Sequence, residues 1–268
     1  MAEHHDSIRP LKKLGQHFLT DEHTAQKIAL SCKPRTEDLM LEIGPGKGML
    51  TKYLLQHFNN HLSVTEIDDR SVAYLREHFQ HDRLEILEVD FLQLPINNYF
   101  DNKQVYVCGN FPYNISSQIL FHILEHKQWV PGMCGMFQRE VAQRVCSAPG
   151  NKEYGILSVL VQAYYQTEYL FTVNEGVFHP PPKVKSGVMR MSRLENPRTK
   201  APYEAFKLAI KTGFNQRRKT LRNALMPIYR GAEQHPYMSR RAETLSPEEW
   251  SELTMWMMER GAGLRSDT

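Results

Sequence analysis

The first two thirds of the chain alternate short apolar runs with stretches whose apolar residues recur at helical spacing, the pattern of a parallel sheet covered by crossover helices. Runs at Leu39–Ile43, Leu62–Ile67, Leu84–Val89, Gln104–Gly109 and Met133–Phe137 are predicted strands, with helices between them. Two Tyr- and Val-rich segments, Tyr165–Val173 and Ser186–Arg193, follow with no long helix between, so the sheet is expected to end in an antiparallel hairpin. Glu195–Pro202 is polar, holds two prolines and reads as a linker. Beyond it only helical spacing is found, at Pro202–Phe214 and Pro247–Met258; the second opens with Ser246-Pro247-Glu248-Glu249, an N-cap followed by proline and acids in the first turn. The expected fold class is α/β: a Rossmann-like domain over 1–194, a linker over 195–202 and a small all-helical domain over 203–268.

Composition narrows the class without naming a function. At 268 residues, 41% hydrophobic and 24% charged, the chain is neither disordered nor a disulfide-dense scaffold. No apolar run approaches the roughly 20 residues of a membrane helix, and the start lacks the layout of a signal peptide, so a cytoplasmic protein with no membrane partner is expected. Cys32, Cys108, Cys134 and Cys146 are far apart, form no CxxC pair and read as free thiols. The net charge of +3 is unevenly spread: residues 1–190 carry 19 basic against 21 acidic groups, residues 191–268 carry 14 against 9. Between Ala205 and Ala232 stand seven basic residues and no acidic one, which favours a phosphate-bearing partner over a merely solvated helix face.

The chemistry sits at the ends of the predicted strands. After Leu39–Ile43 comes Gly44-Pro-Gly46-Lys-Gly48, a turn that lets backbone approach a ligand. The NAD fingerprint fails because Met49 follows Gly48, and a phosphate-binding loop fails for want of Gly-Lys-Ser/Thr. A plain tight turn explains the glycines equally well. The next strand ends at Glu66, able to accept hydrogen bonds from two ribose hydroxyls, and the third at Asp90, an acceptor for an adenine amine. Together these favour S-adenosylmethionine, although either acid alone reads as a strand terminus. After the fourth strand stands Asn110-Phe111-Pro112-Tyr113. Asn110 and the carbonyl ahead of the proline could accept the two N–H bonds of adenine's amine, and Tyr113 offers a π-face to a base taken out of its stack. His122 and His126 have the spacing of a metal pair but no third ligand, so no metal is expected and a solvent-facing helix is the reading. Met255–Met258 read as helix packing and Cys108 as a buried small hydrophobe.

These motifs, with Lys12-Lys-Leu-Gly-Gln-His-Phe-Leu19, Gln138-Arg-Glu-Val-Ala142, Tyr154-Gly-Ile-Leu-Ser158, Phe178-His-Pro-Pro-Pro-Lys-Val184 and Phe214-Asn-Gln-Arg-Arg-Lys-Thr-Leu-Arg-Asn223, span nearly the whole chain. In them the sequence resembles the ribosomal RNA adenine N6-dimethyltransferase family, most nearly its bacterial small-subunit branch. The resemblance implies an S-adenosylmethionine-dependent methyltransferase domain followed by a helical RNA- and ribosome-binding domain. The implied substrate is two adjacent adenines in the 3′-terminal hairpin loop of 16S rRNA, with the small ribosomal subunit as partner and a monomer as the working state. His17 and Leu19 are implied to close over the cofactor with Gly44, Gly46, Glu66, Asp90 and Asn110. Tyr113 and Phe178 are implied to sandwich the adenine. Arg217, Arg218, Lys219 and Arg222, with Lys12 and Lys13, are the candidate RNA contacts. The chain departs from the family at His17, where many members have Asn, and at Phe111, where Leu is usual. The related large-subunit methyltransferases are disfavoured by Phe214–Asn223, and an RNA-binding factor without turnover is disfavoured by the complete set of site residues.

Overall fold

The computed structural model describes residues 8–11, 14–262 and 264. They divide between two compact units, one within 1–142 and 168–193, the other within 143–167 and 194–268. Nine strands are present among the described residues: β1 (Phe18–Leu19), β2 (Leu39–Ile43), β3 (Leu62–Glu66), β4 (Leu84–Glu88), β5 (Val105–Asn110), β6 (Gly132–Gln138), β7 (Tyr165–Val173), β8 (Phe178–His179) and β9 (Ser186–Arg193). Seven of them make one sheet in the order β4-β3-β2-β5-β6-β9-β7. Strands β4, β3, β2, β5 and β6 are parallel, and β9 runs antiparallel to β6.

Apolar side chains of β2, β3 and β5 are buried, among them Met40, Leu41, Val64, Val105 and Val107, as strands covered by crossover helices require. The order of the sheet also fixes where a ligand can enter. Strand β2 pairs with β3 on one side and with β5 on the other. The connections therefore reverse direction at β2, and the crevice of such a sheet opens beyond the carboxyl ends of the strands at that point. Local signals set the flanking helices: Asp21 caps Glu22–Ser31 by accepting from the Thr24 N–H at 2.7 Å, and Asp68 caps Asp69–His78.

The second unit is helical. Its helix Tyr203–Asn215 places Gly213 where a Cβ would stand 2.5 Å from the Trp250 ring. Trp250 is fully buried, on the helix Pro247–Glu259, whose start is the expected capping box of Ser246 and Glu249. This unit also takes in residues 143–167, ahead of the boundary expected at 194. The reason lies in the helix Ile156–Gln162, buried from Leu157 through Gln162 and packed on both of those helices. A helix apolar all round has no solvent face and joins whichever bundle encloses it. No helix among the described residues is long and apolar enough to cross a membrane.

Candidate active site

Beyond the carboxyl ends of β2, β3 and β5 lies a pocket of about 920 Å³, its open mouth included. The glycine turn after β2 lines it, with Gly44 and Gly46 at φ of 65° and 57°. An L-residue adopts that backbone only at a cost of about 1–2 kcal/mol, and at Gly46 a Cβ would also stand 2.8 Å from the Phe18 ring. Phe18 comes from β1, which pairs with β8 in a separate two-stranded sheet, Leu19 opposite Phe178 and Phe18 opposite His179.

Glu66 closes β3 with both carboxylate oxygens already engaged. Oε1 accepts from the N–H groups of Ile67 (2.8 Å) and Asp68 (3.0 Å), and Oε2 from that of Gly46 (3.3 Å). Burial raises its pKa, and these N–H bonds oppose the shift. Oε1 has both lone-pair directions filled, but Oε2 retains one, so Glu66 can brace the glycine turn and still accept from a ligand. Asp90 lines the pocket too, and its Oδ1 accepts from the Leu92 N–H at 2.9 Å. A third carboxyl group, Glu42, also lines the pocket and belongs to none of the motifs at the strand ends. Fully buried on β2, it accepts from Thr51 Oγ1 at 2.6 Å, and burial pushes its pKa up to about 8. The signal available was an acid inside an otherwise apolar strand.

Asn110 ends β5. Its Nδ2 donates to the backbone carbonyl of His17 at 3.0 Å. A carbonyl only accepts, so that contact fixes which end of the amide is nitrogen. Oδ1 accepts no hydrogen bond from any described residue and is the acceptor this side chain offers the pocket. The His17 contact with Asn110 is thus made by backbone, and the departure from Asn at this position leaves it intact. Phe111 is 1% exposed, its ring packed 4.6 Å from that of Phe137. Room for it comes from Gly109 and Gly135, where a Cβ would meet the ring at 3.0 and 2.3 Å. Pro112 and Tyr113 line the pocket with Leu19.

Not every candidate meets there. Phe178 is 4% exposed, sits in the hydrophobic core and is absent from the pocket lining, which its partner Leu19 joins. Arg217, Arg218 and Lys219 lie in the second unit, on the turn between the helices Tyr203–Asn215 and Leu221–Ala224, and Arg222 lies on the second of these helices. There Arg217 is occupied, donating to the carbonyls of Lys152 (2.5 Å) and Asn151 (3.4 Å), with Glu243 4.0 Å away. Arg218, Lys219 and Arg222 are exposed and their side chains bond to no described residue. Lys12 and Lys13 lie outside the described residues. His122 is half-buried rather than solvent-facing: Nε2 bonds to the Leu94 carbonyl at 2.9 Å and the ring packs edge-on to Phe91. Among the described residues no His, Cys, Asp and Glu cluster could hold a metal ion. Cys32, Cys108 and Cys134 are free and buried.

The family profile described as Ribosomal RNA adenine dimethylase matches residues 9–258. The Ribosomal RNA small subunit methyltransferase A of Flavobacterium johnsoniae is 49% identical over 251 residues, 93% of this chain and 96% of that one. Its counterpart in Phocaeicola vulgatus is 48% identical over 250 residues, 92% and 89% of the two chains. Among solved structures, a dimethyladenosine transferase from Plasmodium falciparum superposes with a TM-score of 0.77 at 23% identity, covering 92% of this chain and 99% of that one. The 23S rRNA methyltransferase ErmE gives 0.69 at 24% identity, covering 90% and 99%. At such identities these two structures establish the shared Rossmann-like methyltransferase fold. The match of 9–258 and the near-half identity over nine tenths of the chain establish more: this chain belongs to the ribosomal RNA adenine dimethylase family.

Proposed function

We propose that this chain transfers methyl groups from S-adenosylmethionine to N6 of two adjacent adenines in the 3′-terminal hairpin loop of 16S rRNA. In this reading it dimethylates each, acts as a cytoplasmic monomer and serves biogenesis of the small ribosomal subunit. The observation that carries the reading is Asn110, whose amide is anchored at nitrogen by His17 and presents a free oxygen to the pocket. The names of relatives at 46–49% identity support the small subunit as the partner.

The groups that line the pocket fit an adenosyl cofactor. Glu66 suits a ribose hydroxyl and Asp90 an adenine amine, while Leu19, Ile67 and Phe91 supply apolar wall. Gly44 and Gly46 bring backbone close without a side chain, and the turn has no phosphate-binding ending. When bound, S-adenosylmethionine supplies an electrophilic methyl group on a sulfonium. Adenine's amine is a poor nucleophile because its lone pair is delocalised into the ring. Asn110 Oδ1 and the Phe111 carbonyl ahead of Pro112 accept its two N–H bonds and localise that pair toward the methyl group. Tyr113 gives its ring face to the unstacked base. Phe178 can reach the opposite face only if its ring leaves the core it now occupies. The second unit, through its basic turn, holds the RNA backbone.

Labelled methyl transfer onto small subunits lacking the modification, with the modified nucleotides mapped, tests the reading. Label in dimethyladenosine at the two adjacent hairpin adenines is expected. Label in large-subunit rRNA instead, or RNA binding without transfer, overturns it.

A further inference from the structure

The phenol of Tyr113 is held inside the protein. Its hydroxyl shares a short hydrogen bond with the hydroxyl of Ser186, the first residue of β9, fully buried and in register with Gln138 of β6. The Tyr113 ring also lies 5.5 Å from that of His17, tilted by 31°. His17 is itself anchored, donating from Nδ1 to the Pro180 carbonyl at 2.8 Å. The stretch from Pro180 to Ser186 thus restrains both rings. Tyr113 opens a three-residue 3-10 turn, and the bond to β9 restrains its ring from the hydroxyl end. Burial raises the phenol's pKa, and the bond with Ser186 opposes that shift.

We propose that Ser186 is a positioning residue for methyl transfer, holding the Tyr113 hydroxyl so that the ring faces the target adenine at the angle Asn110 requires. The inference rests on the role given to Tyr113 under the proposed function. A platform free to turn about its side-chain bonds offers its face only part of the time, and the poorer alignment lowers the rate. The contact is invisible to motif reading, since 73 residues separate its partners.

Ser186→Ala and Tyr113→Phe remove the same hydrogen bond from opposite ends. Each is expected to lower kcat on unmodified small subunits about five- to tenfold, with S-adenosylmethionine affinity by calorimetry unchanged. The double variant is expected to be no slower than either single one. In protein with isotope-labelled tyrosine rings, the resonance missing from Tyr113→Phe identifies Tyr113, and it is expected to shift in Ser186→Ala. An additive double variant overturns the inference, because Ser186 then acts through packing. So does a Ser186→Ala enzyme with full kcat and an unmoved Tyr113 resonance. If Ser186→Ala does not fold, Tyr113→Phe decides, and full kcat there overturns the inference. A wild type that transfers no methyl group defeats the functional reading, and this inference with it. A competent wild type beside an indifferent Ser186→Ala variant defeats this inference alone.

Discussion

At Asn110 one amide serves two ends: Nδ2 is committed to the His17 carbonyl, and Oδ1 is left to the pocket. Removing an oriented polar group of this kind costs about a hundredfold or more in rate. Asn110→Ala should therefore lose at least that much in single-turnover transfer while its melting temperature stays near wild type; near-normal transfer would remove Asn110 from the chemistry. Glu42 makes a different prediction, one of stability. Its pKa is about 8 in the fold against 4.5 for an ordinary Glu, so between those values the folded protein holds a proton that the unfolded chain releases. Unfolding free energy from this group then falls as pH rises through the interval. Glu42→Gln keeps an acceptor for Thr51 and cannot ionise. Urea unfolding at about pH 6 and about pH 8 should find the variant gaining on wild type toward the higher pH. Parallel curves would mean that Glu42 is ionised throughout.

Among the elements, the pairing of β1 with β8 is the smallest and has the most to place. It fixes Phe18 against the glycine turn, sets Leu19 in the pocket wall and carries the chain that supplies the His17 carbonyl. Gly46→Ala meets it from below: the new Cβ suffers the left-handed backbone and presses the Phe18 ring. A cost of about 1–2 kcal/mol corresponds to a melting temperature lower by about 2–8 °C, with weakened cofactor binding because Phe18 must move. Gly150 is the control. Its φ is 88° and nothing lies within 4 Å of a new Cβ, so Gly150→Ala should lower stability through the backbone alone and leave cofactor affinity unchanged. Equal cofactor affinity in both variants would separate β1 from the pocket.

For the whole molecule, the division of labour between the units turns on the basic turn. Arg218, Lys219 and Arg222 are exposed with no bond to a described residue, whereas Arg217 ties the turn to the carbonyls of Asn151 and Lys152. A triple change of Arg218, Lys219 and Arg222 to Gln should weaken small-subunit binding. It should also reduce the slope of log affinity against log salt by about 0.7–0.9 for each phosphate that is no longer neutralised. Arg217→Gln should instead lower the stability of the second unit and leave most of the slope. Binding titrations across salt concentrations, with melts for both proteins, separate the two. An unchanged slope in the triple variant would make the turn a solvated surface.

The elements and their chemistry are written in the amino-acid order. Apolar runs place β2, β7 and β9 at their observed bounds, Ser246 and Glu249 mark a helix start, and Glu66, Asp90 and Asn110 stand at or just beyond the ends of parallel strands. These signals are local: side-chain period, caps and turn residues act within a few positions. The helix Ile156–Gln162 is also written locally, yet its membership of the second unit is not, because an apolar helix does not say which neighbours bury it. Two-residue strands such as β1 and β8 are too short to show any period. It is the folded chain that sets the His17 carbonyl against Asn110 across 93 residues, bonds Tyr113 to Ser186, sinks Phe178 into the core and occupies Arg217. Each of these joins segments far apart in the sequence. Such meetings depend on the path that the folded backbone takes, and local patterning carries no record of that path.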